Sequence, residues 1–288
     1  MQSQRLKIAI QKSGRLSDSS KDLLKECGIK LRNGKNKLVA PSTNFPLDVL
    51  YLRDDDIPQY VEDGTADLGI IGKNVLLEKN DGTIDVARNL GFSKCRLSLA
   101  VPKSANYSDL SYFNGKKIAT SYPNVLSKFL AEKNIQAEIH EISGSVEIAP
   151  NIGLADGICD IVSSGSTLLS NGLKELDVIM QSEAVLVKSQ NMNDEKSKIF
   201  NQLIFRMESV QRAKTSKYIL LNAPTVSIPT IAKILPGAKS PTILPLALEG
   251  WSSVHSVVPE EEFWEIIDEL KQNGAEGILV IPIEKMIL

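Results

Sequence analysis

The sequence predicts an α/β protein of two lobes followed by a small β-α-β-β-α-β domain, and three observations carry that reading. Short apolar runs of strand length alternate with helical patterns from the N-terminus to about residue 190. Asn89, Leu90, Gly91 and Phe92 interrupt this alternation like a hinge, and a second group of units begins at Arg96. Beyond residue 215 the order becomes strand, helix, two strands, helix, strand, which is the ferredoxin-like arrangement.

The first group has predicted strands at 7–10, 48–52 and 67–71, with helices over 17–27 and 57–63. In the second, strands are predicted at 96–101, 117–120, 138–142, 160–162 and 178–180, with a helix over 124–133. A strand at 184–187 follows. Units of this kind predict largely parallel pairing. A polar stretch over 188–198 leads into an amphipathic helix over about 199–214. The last domain reads as strand 218–221, helix 226–235, strands 242–245 and 253–258, helix 260–273 and strand 277–281. The domain limits are 1–92 with a return segment at about 183–215, then 93–182, then 216–288.

Composition narrows the function. Of 288 residues, 42% are hydrophobic and 24% charged, ordinary values for a soluble globular protein. A formal charge of -2 gives no electrostatic reason to expect nucleic acid. No apolar run approaches the ~18 residues of a membrane span, so no membrane partner is expected. MQSQRLKIAI enters a strand without the features of a secretory signal, which predicts a cytoplasmic protein. Cys27, Cys95 and Cys159 are odd in number and unclustered, which argues against a disulfide framework or a zinc site. They read as small buried hydrophobes.

The stretch DGICDIVSSGSTL carries the strongest chemical signal. If 160–162 is a buried strand and a helix opens near Thr167, then Ser163, Ser164, Gly165 and Ser166 form the loop between them. Unpaired N–H groups at the helix start and the hydroxyls of Ser163, Ser164, Ser166 and Thr167 would cradle a monophosphate, while Gly165 allows a turn barred to bulkier residues. A helix cap in a tight loop is the plainer alternative. Asp160 and Glu147 lie close to this loop in the pattern. Sugar hydroxyls or Mg²⁺ would offset their charge, and a helix cap or a surface ion pair would also explain each of them.

KIAIQKSGRLS places Lys12, Ser13, Gly14 and Arg15 in the turn after the first strand, where a cationic pair could face a polyphosphate or remain solvated. RDDDIPQYVEDGTADLGIIGKN adds Arg53, Asp54, Asp55 and Asp56, with Asp56 a candidate N-cap before Pro58. Gly69 and Gly72 would let a flat ligand or a backbone approach the following strand. Neither a Walker loop nor a Rossmann fingerprint is present, and His140 and His255 sit in no triad or metal motif. A reaction run by positioning and charge neutralisation suits this inventory.

These segments, together with CRLSLAVP, KKIATSYP, GSVEIAPNIGLADGICDIVSSGSTLLSNGL, PTILPL and ILVIPIEKM, resemble the ATP phosphoribosyltransferase family of histidine biosynthesis over nearly the whole chain. The resemblance implies two catalytic lobes folded like a bilobal periplasmic binding protein, and a C-terminal ferredoxin-like regulatory domain that binds histidine as feedback inhibitor. It implies Mg²⁺ as cofactor and a homo-oligomer that changes between dimer and hexamer. Carried over by residue, it implies catalytic roles for Lys12, Arg15, Glu147 and Asp160. The phosphoribosyl pyrophosphate site falls on Asp160, Ser163, Ser164, Gly165, Ser166 and Thr167, with the ribose hydroxyls on Asp160. The nucleotide side falls on Lys12, Gly14, Arg15, Asp67 and Gly69. LALEGWSSVHSVV in the last domain lacks an obvious family signature, so no histidine-contacting residue is assigned. The competing classes are a non-catalytic small-molecule binder, which the two-lobe plan would also serve, and a regulatory subunit.

Overall fold

The computed structural model describes residues 4–32, 38–79, 82–235, 237 and 240–288. Compactness divides the chain into two units, one of Met1–Asp22 with Lys30–Ser197 and the other of Leu23–Ile29 with Lys198–Leu288.

The first unit holds two sheets. The chain opens with β1 (Leu6–Gln11), α1 (Arg15–Glu26), β2 (Val39–Pro41), β3 (Leu47–Leu52), α2 (Ile57–Glu62), β4 (Leu68–Gly72), α3 (Lys73–Lys79) and β5 (Asp85–Asn89). It continues through β6 (Cys95–Pro102), β7 (Lys117–Thr120), α4 (Pro123–Glu132), β8 (Glu138–Glu141), β9 (Gly157–Val162), α5 (Ser166–Ser170) and β10 (Leu173–Ser182). β11 (Ala184–Lys188) then returns to the first sheet. The sheet orders are β2-β3-β1-β4-β11-β5 and β10-β6-β9-β7-β8. The chain therefore passes between the lobes twice, after β5 and after β10. This is the two-lobed plan of a bilobal binding protein.

Pairing is mixed, which corrects the expectation of largely parallel sheets. β3-β1-β4 and β8-β7-β9 are parallel, whereas β2, β6, β10, β11 and β5 pair antiparallel. Parallel neighbours need a crossover connection, and the strands that begin or end at the passages between lobes have none. The first sheet buries Ile8, Ile10, Val49, Leu68 and Ile70 completely. In the second, Leu97, Leu99 and Cys159 pack on Phe113, Leu126 and Leu130 on one face, while Ala100, Ile158 and Val162 pack on Val146, Ala149 and Leu168 on the other. Each fully buried Leu or Ile is worth about 1.5–3 kcal/mol of transfer free energy.

α6 (Asp194–Lys214) leads into β12 (Ser216–Pro224), α7 (Ile228–Ile234), β13 (Thr242–Pro245), β14 (Trp251–Pro259), α8 (Glu260–Gln272) and β15 (Glu276–Pro282). The sheet order β13-β14-β12-β15 is antiparallel throughout. That is the ferredoxin-like topology. Ile219, Leu221, Val254 and Val258 form its core with Ile231, Phe263 and Leu270 of the two helices.

The three cysteines are free: Cys27 and Cys159 are buried and Cys95 is half-buried. Burial raises all three thiols, Cys27 to about 12. Among the described residues, no helix is long and apolar enough to cross a membrane.

Candidate active site

The loops that follow β1 and β9 are built alike, as a strand, a left-handed glycine and a helix start. Lys12 N–H donates to Leu52 O at 2.8 Å as β1 ends, Gly14 turns at φ +95°, and α1 begins at Arg15. A side chain at Gly14 would be strained there. Lys12 and Arg15 project into solvent, where they are accessible to an anion.

After β9 come Ser163 and Ser164, then Gly165 at φ +81°, then α5. The helix is only five residues long and starts at Ser166, with Leu169 N–H returning to Gly165 O at 3.1 Å. The Oγ atoms of Ser164 and Ser166 lie 3.0 Å apart. Ser163, Ser164, Ser166 and Thr167 are all exposed, so this turn is open to solvent and to a ligand. Gly165 at the N-cap position has no side chain to cap with, and Ser164 Oγ accepts from Ser166 N–H at 3.4 Å, a long bond that keeps the plain cap reading beside the cradle.

Asp160 sits three residues before Ser163 on β9, half-buried. Burial pushes its carboxyl up to about 6, Glu147 adds to the rise, and a 2.8 Å hydrogen bond from Ile161 N–H opposes it. Glu147 lies in a single 3-10 turn, Val146–Ile148, reached through two left-handed residues, Gly144 and Ser145. Asp160 lines a cavity of about 410 Å³ together with the loop at 143–146, Ser121 and Tyr122 from the second lobe, and Asp55, Val75, Glu78 and Lys79 from the first. The cavity is thus an interlobe cleft with an acidic lining. Its chemistry favours hydroxyl and amino donors over phosphate oxygens.

Two expected nucleotide-side residues are not brought to this place. Asp67 lies just before β4, at the end of the sheet opposite Lys12, and is buried. Its carboxylate accepts from Lys7 N–H at 2.8 Å and from Lys196 Nζ at 2.6 Å, so both oxygens are already committed. Gly69 is needed for packing. A Cβ there would lie 2.7 Å from Ile57 Cγ2 and 3.1 Å from Val61 and Val187 Cγ2 atoms, so the residue lets α2 close on the sheet. Gly72 makes room in the same way for the Asn74 side chain, whose Oδ1 would lie 2.3 Å from a Cβ. Asp56 occupies the N-cap position of α2 without making a side-chain cap bond.

Two residues of the cleft, Tyr122 and Glu78, went unseen in the sequence, and Asp54 of the acidic turn lies near them. Tyr122 follows β7, is raised above the ordinary tyrosine range by burial, and feels Asp160, Asp54 and Asp55. Its hydroxyl accepts from Asn74 Nδ2 at 3.0 Å. Asp54 has one buried oxygen without a hydrogen-bond partner, and burial with Asp55 nearby pushes its carboxyl up to about 6. Glu78 is 6% exposed and bonds to the start of α4. A tyrosine between a strand end and a helix-starting proline was the available signal for Tyr122. Glu78 gave none, because its partners lie far along the chain in the other lobe.

Fold and loops together define a two-lobed α/β protein with polar turns at its strand ends and an appended ferredoxin-like unit. Comparison with known proteins narrows that class. A family model described as ATP phosphoribosyltransferase matches residues 53–209, and one described as HisG, C-terminal domain, matches 213–285. The ATP phosphoribosyltransferase of Cytophaga hutchinsonii is 58% identical over 282 residues, which is 98% of each chain. That of Phocaeicola vulgatus is 57% identical over 283 residues, covering 98% of this chain and 100% of its own. A solved chain from the ATP phosphoribosyl transferase (HisG:HisZ) complex of Thermotoga maritima is 29% identical with a TM-score of 0.60, over 70% of this chain and 98% of that one. The chain belongs to the ATP phosphoribosyltransferase family: it is a pentosyltransferase of histidine biosynthesis.

Proposed function

We propose that the enzyme transfers the phosphoribosyl group of phosphoribosyl pyrophosphate to N1 of the ATP adenine. The adenine N1 forms a bond to the anomeric carbon, and the bond from that carbon to diphosphate breaks, its electron pair leaving with the diphosphate. The positive charge gained by the adenine ring is relieved when its exocyclic amine gives up a proton. No protein nucleophile takes part.

The observation that carries this reading is Asp160, a half-buried carboxylate in the interlobe cleft three residues ahead of Ser163, where the turn begins. Asp160 and Glu147 accept from ribose hydroxyls, and the amides and hydroxyls at 163–167 take the 5-phosphate. Lys12 and Arg15 offset the charge growing on the departing diphosphate. Holding both substrates in one closed cleft supplies about 7–11 kcal/mol through proximity. Among the described residues, no three His, Cys, Asp or Glu side chains converge into a metal-holding group. Mg²⁺ is usually held by one or two carboxylates together with substrate phosphates; it enters the proposal as a companion of those phosphates, and no step is assigned to it.

The ferredoxin-like unit is proposed to bind histidine as feedback inhibitor, and the chain to work in the cytoplasm as a homo-oligomer, dimer or hexamer. Incubation with ATP, phosphoribosyl pyrophosphate and Mg²⁺ should release pyrophosphate. Ligand binding without pyrophosphate release would favour the solute-binder reading instead.

A further inference from the structure

Beneath the serine-rich loop, four polar side chains share one face of the second lobe's sheet. β6 and β9 pair antiparallel with Arg96 opposite Val162 and Ser98 opposite Asp160, and β10 places Glu175 opposite Ala100. Directly paired residues share a face, as do alternate residues of one strand, so Arg96, Ser98, Asp160 and Glu175 all lie on the α5 side. Glu175 grips the Arg96 guanidinium with both oxygens, on Nε and Nη2, each at 2.5 Å. It also accepts from Ser98 Oγ at 2.8 Å. The remaining terminal nitrogen, Nη1, donates to Ser163 O at 3.1 Å.

A forked pair of this kind fixes the plane of the guanidinium as well as its position. With two nitrogens committed to Glu175, the third has one direction left, and Ser163 O lies along it. Ser163 is the residue at which the chain leaves β9 for the turn, so its carbonyl sets the direction of everything up to Thr167. The register of β10 against β6 shifts just beyond Glu175, between Glu175 and Val178. Such irregularities re-aim side chains at sheet positions that serve a site.

We propose that Arg96 and Glu175 are the positioning pair of the phosphate-binding loop: Glu175 orients the guanidinium, and the guanidinium pins the Ser163 carbonyl so that the turn meets the sugar phosphate in one arrangement. This rests on the reading of 163–167 as the 5-phosphate site. Neither residue touches substrate. Arg96 spends its charge on Glu175, and what it supplies to the site is geometry.

The test uses the full chain with Arg96→Lys and Glu175→Gln. Lysine keeps the charge and much of the packing but loses the fork; the glutamine keeps the shape and loses the charge that orients it. KM for phosphoribosyl pyrophosphate should rise about tenfold in Arg96→Lys, with KM for ATP and kcat each within about threefold and little change in thermal midpoint. Glu175→Gln should shift the same KM in the same direction by less, and the double variant should be no worse than Arg96→Lys alone, because the two residues act as one unit. Ribose 5-phosphate binding by calorimetry reads the loop without turnover and should weaken about tenfold in Arg96→Lys. Unchanged KM values, equal shifts in both substrates' KM, or a lowered thermal midpoint alone would overturn the proposal and leave an ordinary strand-to-strand ion pair. Pyrophosphate release by the wild type separates the two levels: its absence, with no ribose 5-phosphate binding, removes the phosphate-site reading and this proposal with it. Its presence beside indifferent variants removes only the proposal.

Discussion

Glu78 caps a helix that belongs to the other lobe: its carboxylate accepts from Asn124 N–H at 3.0 Å and Val125 N–H at 2.9 Å at the start of α4. The contact is reciprocal, since Asn124 Nδ2 donates to Glu78 O at 3.1 Å. An anion at a helix N-terminus satisfies unpaired donors and complements the dipole. Glu78→Ala should hand those partly exposed donors to water and lose a charge-assisted cap, lowering unfolding free energy by about 0.5–2 kcal/mol, with Glu78→Gln intermediate. Urea denaturation of both variants checks this, and wild-type midpoints would show that the lobes do not depend on the contact.

Gly69→Ala should destabilise through overpacking. The new methyl would meet Ile57, Val61 and Val187 at 2.7–3.1 Å, which costs about 1–3 kcal/mol where a well-packed core must yield. The same urea series measures it. A neutral substitution would mean that α2 is free to move away from β4.

Asp160 predicts opposite pH trends for activity and stability. Its carboxyl titrates near 6 in the folded protein and at about 4 in an unfolded chain. Between those values the folded state binds more protons, so this residue's contribution to stability falls as pH rises from about 4 to about 6. In the proposed role ionised Asp160 accepts from ribose hydroxyls, so kcat/KM for phosphoribosyl pyrophosphate should drop towards tenfold per unit below pH 6. A profile over pH 5–8 should show that limb in the wild type and lose it in Asp160→Asn. A flat wild-type profile would contradict the assignment.

Ser166→Asp should nearly abolish turnover by placing a negative charge in the proposed phosphate loop, where the wild-type Ser166 Oγ lies 3.0 Å from Ser164 Oγ. Ser166→Ala removes one donor and should cost far less. Steady-state kinetics with each substrate varied will tell them apart, and normal phosphoribosyl pyrophosphate affinity in the aspartate variant would place the phosphate elsewhere.

Deleting the chain from about residue 217 onward should abolish inhibition by histidine. α6 ends at Lys214 and β12 starts at Ser216, so the cut removes nearly the whole ferredoxin-like sheet and leaves both catalytic sheets intact. Inhibition curves of the full and shortened enzymes decide the matter. Unchanged sensitivity would put the histidine site in the lobes.

Strong local patterns made most of the strands readable. β7 and β13 lie where apolar alternation places them, and the passage near Asn89 is where Gly91 and Ser93 take left-handed conformations. β5 was missed because DVARN carries one large aliphatic residue and lies at a sheet edge, half exposed. α3 was missed because seven residues hold too few periods for a helical pattern to emerge. Its loss mattered most for the site, since Asn74 and Glu78 both belong to it. Asp67 and Gly69 also have structural roles, an ion pair with Lys196 and room for Ile57, that depend on partners no local pattern reveals.

β11 lies between β4 and β5, so the first lobe's sheet receives a central strand only after the other lobe has been synthesised. On the ribosome, β4 and β5 have no strand to join them until residue 188 emerges, about 5–20 s after β5 at ordinary elongation rates. The five strands from Cys95 to Ser182 are contiguous and can close first. A nascent chain stalled between these points would expose the unpaired edge of β4, and protection of that edge by chaperones would be timed by the length of the inserted lobe.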